Sequence, residues 1–360
     1  MSTARRHIWV VLVALIAITG LLAGCGSSGG DSARADRASN PATSTDSAGS
    51  TDSVSTKGVT LRVGDLASQL KLPFDVSGQG ANTPYKLSWS TFASGPELNA
   101  ALASGKIDVG GFVGETPTLL ALGADTAPQV IASKLIHPDG YFRIVAPRAS
   151  GIATVKDLKG KRIASVEGTA FQGYLLQALF QAGITQNDVT VVNVPSNALL
   201  TTLESGAVDA GVIGGPTLTY LAAHPDTVTI ATNNASYSTI LASKKALADP
   251  AKRAALLDFV TRGTKADQWV QAHPDEWKQR WYVETLHQTE KNADFLQKAE
   301  GAYNGYGTVT PQVADHVAQL ATLLQSSGVL AKGIDSADLF DKGVTAKFNA
   351  AIENALRGPG

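Results

Sequence analysis

A chain of 360 residues with 44% hydrophobic side chains is long enough to fill one bilobed core or two small ones. Its 30 basic and 31 acidic residues leave a net charge of −1, which excludes the concentrated basic face that nucleic acid as main partner requires. A lone cysteine, Cys25, excludes an intramolecular disulfide, a CxxC redox pair and a multi-cysteine zinc site.

The N-terminus gives that cysteine a context. Arg5 and Arg6 precede an apolar run from Ile8 to Leu22, and Ala23, Gly24 and Cys25 follow. A basic start, a short apolar stretch and small residues read as a secretory signal peptide over residues 1–24. From Gly26 to Lys57 the composition falls to Gly, Ser, Ala, Thr and Asp, with Val54 the one large aliphatic side chain. Such a stretch cannot bury enough surface to offset its ordering entropy and reads as a disordered linker. As a flexible coil it holds the rest of the chain roughly 30 Å from its start.

Beyond it, β-branched runs alternate with Ala/Leu-rich segments. Residues 59–63, 86–90, 109–113, 130–133, 142–146, 162–166, 189–194, 210–214 and 238–242 read as strands. Helices are predicted between them at 97–103, 116–122, 172–182, 198–205 and 217–223. This alternation predicts an α/β fold built around mainly parallel sheets. After Lys244 the strand signals stop, and Trp269, Trp277, Trp281, Phe295, Leu320, Leu324 and Phe340 recur at helical intervals as packing candidates.

One pattern occurs twice. Leu102-Ala-Ser-Gly-Lys-Ile-Asp108-Val-Gly110 and Leu203-Glu-Ser-Gly-Ala-Val-Asp209-Ala-Gly211 share Leu-x-Ser-Gly-x-(Ile/Val)-Asp-x-Gly. Each leads through a strand into a helix-opening turn, Gly114-Glu115-Thr116-Pro117 in one case and Gly214-Gly215-Pro216-Thr217 in the other. Further helix starts lie at Ser94-Gly95-Pro96, at Glu167-Gly168-Thr169-Ala170 with Gln172, and at Ser196-Asn197. Unpaired N–H groups at helix starts can receive an oxyanion, and the carboxyl ends of strands are where open α/β sheets form ligand crevices.

Several of these segments resemble the aliphatic sulfonate- and taurine-binding proteins of ABC importers, a group with nitrate- and thiamine-precursor-binding relatives. The resemblance is carried by Lys86-Leu-Ser-Trp-Ser-Thr-Phe-Ala-Ser-Gly-Pro-Glu97, Ala101 to Gly110, Gly114 to Pro117, Val155 to Ala164, Glu167 to Thr169 and Ser205 to Ala210. It departs at Gly211-Val-Ile-Gly214-Gly215-Pro216-Thr217, where glycines and a threonine replace the aromatic residues common in that family, which predicts a roomier cleft. Likewise, Leu22-Ala-Gly-Cys25 resembles the lipobox of bacterial lipoproteins, which implies acylation of Cys25 and attachment to the membrane on its extracytoplasmic side.

The resemblance implies a periplasmic-binding-protein-like fold: two α/β lobes with a hinge, and a helical C-terminal region. It sets a first lobe over residues 58–147, a second over 148–236, a return to the first lobe with C-terminal helices over 237–345, and a tail over 346–360. The crossovers are expected near Arg143–Pro147 and Asn233–Ser238. A small organic anion, most simply a sulfonate, would be held by side chains of Thr116, Thr169, Gln172, Asn197 and Thr217. Backbone near Ser94, Gly95, Gly168, Ala170, Gly214 and Gly215 would complete the site. Glu115 would either point away or meet the amine of a zwitterion. The implied partners are ABC permease subunits and the membrane through the lipid anchor, with the protein acting as a monomer and without cofactor or metal.

A secreted enzyme is the rival class. The sequence has no Gly-x-Ser-x-Gly elbow, His-Glu-x-x-His or Walker A pattern, and its six histidines lack metal-ligand spacing. Asp108 and Asp209 could be imagined as a catalytic pair, but their repeated position before a strand reads as structural capping. A lipoprotein that senses rather than transports is the third class.

Overall fold

The computed structural model describes residues 54–123, 126–136, 140–233, 236–301 and 305–358; the expected signal peptide, Cys25 and all but the last residues of the linker lie outside them. The first half runs β1 (Thr60–Leu66), α1 (Lys71–Val76), β2 (Lys86–Phe92), α2 (Gly95–Ala103), β3 (Val109–Gly114), α3 (Glu115–Leu120) and β4 (Gln129–Ile136). There follow β5 (Phe142–Pro147), β6 (Arg162–Ser165), α4 (Ala170–Gln181), β7 (Thr190–Asn193), α5 (Leu199–Glu204), β8 (Ala210–Gly214), α6 (Thr219–Ala223), β9 (Thr227–Thr232) and β10 (Ser236–Ala242). The strands form two five-stranded sheets, ordered β2-β1-β3-β10-β4 and β7-β6-β8-β5-β9.

Each sheet is half parallel and half antiparallel, a correction to the mainly parallel expectation. β1 pairs parallel with β2 and β3, and β6 with β7 and β8. β10 enters the first sheet antiparallel between β3 and β4, and β5 enters the second antiparallel between β8 and β9. The reversed strands are the two that follow crossings between the sheets. The first crossing lies between Ile136 and Phe142, ahead of the expected place, because Arg143–Pro147 already pairs within the second sheet. The second lies between Thr232 and Ser236. The two crossings are bonded together: Phe142 N–H donates to Asn233 Oδ1 at 2.8 Å, and Asn233 N–H donates to the Phe142 carbonyl at 3.1 Å.

The repeated pattern has a repeated structural job. Asp108 accepts from the Arg62 backbone N–H at 3.0 Å and from its guanidinium at 2.9 and 2.6 Å. Asp209 accepts from the Arg162 backbone N–H at 2.8 Å and from its guanidinium at 3.5 and 3.4 Å. In each lobe the carboxylate ties the start of one parallel strand to that of its neighbour.

The remaining chain is helical: α7 (Lys244–Ala248), α8 (Pro250–Ala272), α9 (Pro274–Lys278), a π-helical segment (Gln279–Thr285), α10 (Glu290–Glu300), α11 (Pro311–Ser326) and α12 (Lys342–Arg357). Asp249, Thr310 and Asp341 cap α8, α11 and α12 by accepting from free N–H groups of the first turn. These helices do not all return to the first lobe. Trp277, Trp281, Ala293 and Leu296 pack with Val145, Leu199 and Ile213 of the second, whereas Leu256 and Phe259 of α8 join Leu61, Val63 and Val109 of the first. The stretch from residue 346 is not a tail. It continues α12, whose Phe348 and Ile352 are fully buried in the first lobe's core. Among the described residues no helix is long and apolar enough to cross a membrane.

Candidate functional site

Three of the helix starts singled out in the sequence, those of α2, α3 and α4, meet one another where the lobes touch. A Cβ on Gly114 would lie 2.9 Å from Ala170 Cβ, and one on Gly173 would lie 2.0 Å from Thr116 Oγ1. The glycines thus let α3 of the first lobe approach α4 of the second at backbone distance. Gly168 abuts Pro96 in the same way, and Gly95 sits under Pro117. What remains beside Glu115, Thr116 and Ala170 is a recess of about 20 Å³, room for one water.

Most side chains of that set already hold local partners. Ser94 Oγ accepts from Glu97 N–H at 3.4 Å. Thr169 Oγ1 donates to the Val166 carbonyl at 2.6 Å, and Gln172 Oε1 accepts from Gly168 N–H at 2.9 Å. Thr217 Oγ1 closes on Gly214, accepting from its N–H and donating to its carbonyl, both at 2.8 Å. Asn197 is exposed, in a short 3-10 turn (Ser196–Ala198). Gly215 lies beneath the Tyr141 hydroxyl, 2.6 Å from where its Cβ would be.

Glu115 points inward. Its carboxylate accepts from Tyr237 N–H at 2.6 Å and from Ser236 Oγ at 3.2 Å, and lies 2.9 Å from His316 Nε2. Its hydrogen bond and charge hold the His316 imidazole above its ordinary pKa, against the effect of burial. Glu115 therefore fastens α11 and the start of β10, just after the second crossing, to the start of α3.

The space lies elsewhere along the junction. A cavity of about 840 Å³ is lined by Phe112, Lys134, Tyr141, Trp277, Trp281, Tyr282 and Glu300, with Gln69 and Pro216 contributing. Residues from both lobes are present, since Phe112 belongs to the first core and Trp277, Trp281 and Tyr282 to the second. Phe112 is held unusually. It is the extra residue where β10 pairs Ile240 with Gly111 and Thr239 with Val113, and its φ is +60°. A bulky residue at such an angle is strained, and a bulge there turns a side chain away from the sheet's regular alternation. Lys134 Nζ stands 4.4 Å from the centre of its ring.

The charges here are perturbed. Burial pulls the Lys134 ammonium down to about 8, although Asp267 and Glu300 oppose this. Burial pushes the Glu300 carboxyl up to about 7, despite a 2.7 Å hydrogen bond from the Tyr282 hydroxyl and the charge of Lys134. Near neutrality the cavity thus carries a cation beside an acid that is partly protonated. It can receive an anion and offer it donors.

The sequence reading missed this set. Trp277 and Trp281 stand out as packing candidates and do pack, with rings 5.7 Å apart and nearly parallel, but they also form a cavity wall. The available signal for Lys134 was a lysine inside the apolar strand Gln129–Ile136, whose first five residues are buried. Arg143 donates to the Gly140 carbonyl at the first crossing, and Arg148 is exposed. Among the described residues, no group of three His, Cys, Asp or Glu side chains is placed to hold a metal ion.

Known proteins place this arrangement. Over 131 residues the chain is 33% identical to a protein of Escherichia coli (strain K12) named for aliphatic sulfonate binding, covering 36% of this chain and 40% of that one. The chain thus matches about two fifths of the length of that curated relative. The alkanesulfonate-binding protein SsuA from Xanthomonas axonopodis pv. citri, solved bound to MOPS, superposes with a TM-score of 0.69 over 79% of this chain and 99% of its own, at 22% identity. The desulfurization enzyme DSZB superposes at 0.61 over 83% and 99%, at 15% identity, so the same two-lobed fold also carries catalysis elsewhere. Residues 94–277, just over half of the sequence, match the NMT1/THI5-like description, and they span the junction-forming starts of α2, α3 and α4. The chain belongs to the NMT1/THI5-like family.

Proposed function

We propose that this protein is the extracytoplasmic solute receptor of an ABC importer, which takes up a small organic anion of the sulfonate class between its lobes and delivers it to permease subunits. The observation that carries this reading is the cavity of about 840 Å³ lined from both lobes, with Lys134 in its wall. Closure by hinge motion about two crossings is a standard way for two lobes to enclose a solute. In this reading the starts of α2, α3 and α4 are the surfaces that separate on opening, with Ser94, Gly95, Thr116, Gly168, Thr169, Ala170, Gln172 and Thr217 lining the parted faces. Cys25 would carry the lipid anchor, and the linker would give the receptor reach to its permease.

The similarity to a protein named for sulfonate binding supports the ligand class, and Lys134 supplies the charge. A second reading, a zwitterion such as taurine, is favoured by Glu300 in the same cavity, whose ionised form would accept from an ammonium group. A thermal-shift titration of the full chain tests both, since a ligand that binds only the folded state raises the melting temperature by mass action. Ethanesulfonate or taurine should raise it for the wild type and much less for Lys134→Gln. A melting temperature indifferent to every sulfonate, or turnover of the ligand into product, would contradict the reading.

A further inference from the structure

Resting on the reading of the junction cavity as the solute site, we infer that its ligand is an organic anion built on an aromatic ring, with acidic oxygens at Lys134 and the ring against Trp277, Trp281 and Phe112. Size is the first argument. A cavity of about 840 Å³ falls in the range that encloses ring-containing molecules of tens of atoms. A two-carbon sulfonate would leave most of it to water lying against apolar walls, which forgoes the main source of binding free energy.

The walls are the second argument. Rings come from both lobes, Phe112 from the first and Trp277, Trp281 and Tyr282 from the second, with the two indoles 5.7 Å apart and 11° from parallel. Flat aromatic surfaces favour offset or edge contacts with another ring beyond what area alone gives. The strained bulge at Phe112 is the third. It holds that ring in the cavity wall with Lys134 above it, although glycine would suit the backbone angle better. The charge pattern agrees: of the lining residues Lys134 is the one cation, and of the two acids, Asp275 and Glu300, the Glu300 carboxyl is pushed up to about 7 by burial and is a donor to acidic oxygens while protonated.

Calorimetric titration of the full chain with naphthalene-2-sulfonate, benzenesulfonate, ethanesulfonate and taurine tests the inference. Naphthalene-2-sulfonate should bind about tenfold or more tightly than ethanesulfonate or taurine, with benzenesulfonate between them. Trp281→Leu should lower naphthalene-2-sulfonate affinity by about tenfold and ethanesulfonate affinity by proportionally less, so that the aromatic advantage falls away. Phe112 is as buried as Trp281 but belongs to the other lobe's core, so Phe112→Leu provides the same readout independently should Trp281→Leu fail to fold. Ethanesulfonate or taurine binding as tightly as the aromatic probes would overturn the inference and leave the receptor reading standing. Silence toward all four, from protein with a normal melting transition, would overturn both.

Discussion

The two lobes use the same clasp in different surroundings. In the first, the Asp108 side chain is 3% exposed and also accepts from Lys252 Nζ at 2.7 Å; in the second, that of Asp209 is 33% exposed and is bridged by Arg162 at 3.4 Å. In the first lobe α8 crosses the base of the sheet and brings Lys252 with it, whereas the second leaves its clasp at the surface. A sequence repeat therefore specifies a connection, while the burial around it sets how much the connection contributes. Asp108→Asn should cost about 3–5 kcal/mol of stability, because two cations would face a lost charge in a buried site. Denaturant unfolding of the purified protein reads this directly, and a loss below about 1 kcal/mol would remove the contrast between the lobes.

The division extends to the cavity, where the first lobe supplies the cation and the second most of the aromatic wall. Lys134→Gln should weaken binding of every anionic ligand by about tenfold or more, since a charge-assisted hydrogen bond is replaced by a neutral one. The charged groups acting on Lys134 are Asp267 of α8 and Glu300 of α10, and the hydroxyl-bearing Tyr282 and Tyr141 line the same cavity. Raising the pH past about 7 ionises Glu300, and past about 8 it neutralises Lys134, so both changes disfavour an anion. Anion affinity measured by calorimetry should accordingly be greatest below pH 7 and fall through pH 7–9, by several-fold or about an order of magnitude. In Glu300→Gln the decline should begin later, near 8. A flat profile in the wild type would place the anion away from both groups.

His316 tests the opposite side of the junction. Its pKa is raised in the folded protein, so the stability it contributes is fully present below the ordinary histidine range and is lost as pH rises through the folded value. His316→Gln should flatten that part of the pH–stability curve, with an effect of about 1 kcal/mol in thermal or denaturant melts. The smallest effect is expected at Asp209→Asn, about 0–1 kcal/mol, because solvent screens a clasp that is one-third exposed.

All nine strands read from β-branched runs are present, the inner ones advertising themselves through continuous buried apolar residues. β9 was missed: Thr227–Thr232 is an edge strand with alternating threonines and no fully buried residue, so its pattern is weak. α1 was missed because Pro73 interrupts a six-residue helix whose first N–H groups are received by the buried Asp65, six residues before Lys71. The antiparallel placement of β5 and β10 was not legible either, since strand direction after a crossing is decided by the other lobe's sheet. The helix starts were legible as local motifs, but their mutual contact was not. The cavity was less legible still. Phe112, Lys134, Trp281 and Glu300 come from four separate stretches, and a ring that packs on a core looks the same in sequence as one that also faces a ligand.

Everything proposed for the cavity depends on a sulfonate-class anion binding at Lys134 between the lobes. Calorimetric titration of naphthalene-2-sulfonate and ethanesulfonate into wild-type protein and Lys134→Gln, at pH 6.5, tests it most directly. The account predicts saturable one-to-one binding by the wild type and an affinity lower by about tenfold or more in the variant, with both proteins melting normally. Equal affinities in the two proteins, or no saturable heat from either ligand in the wild type, would contradict it.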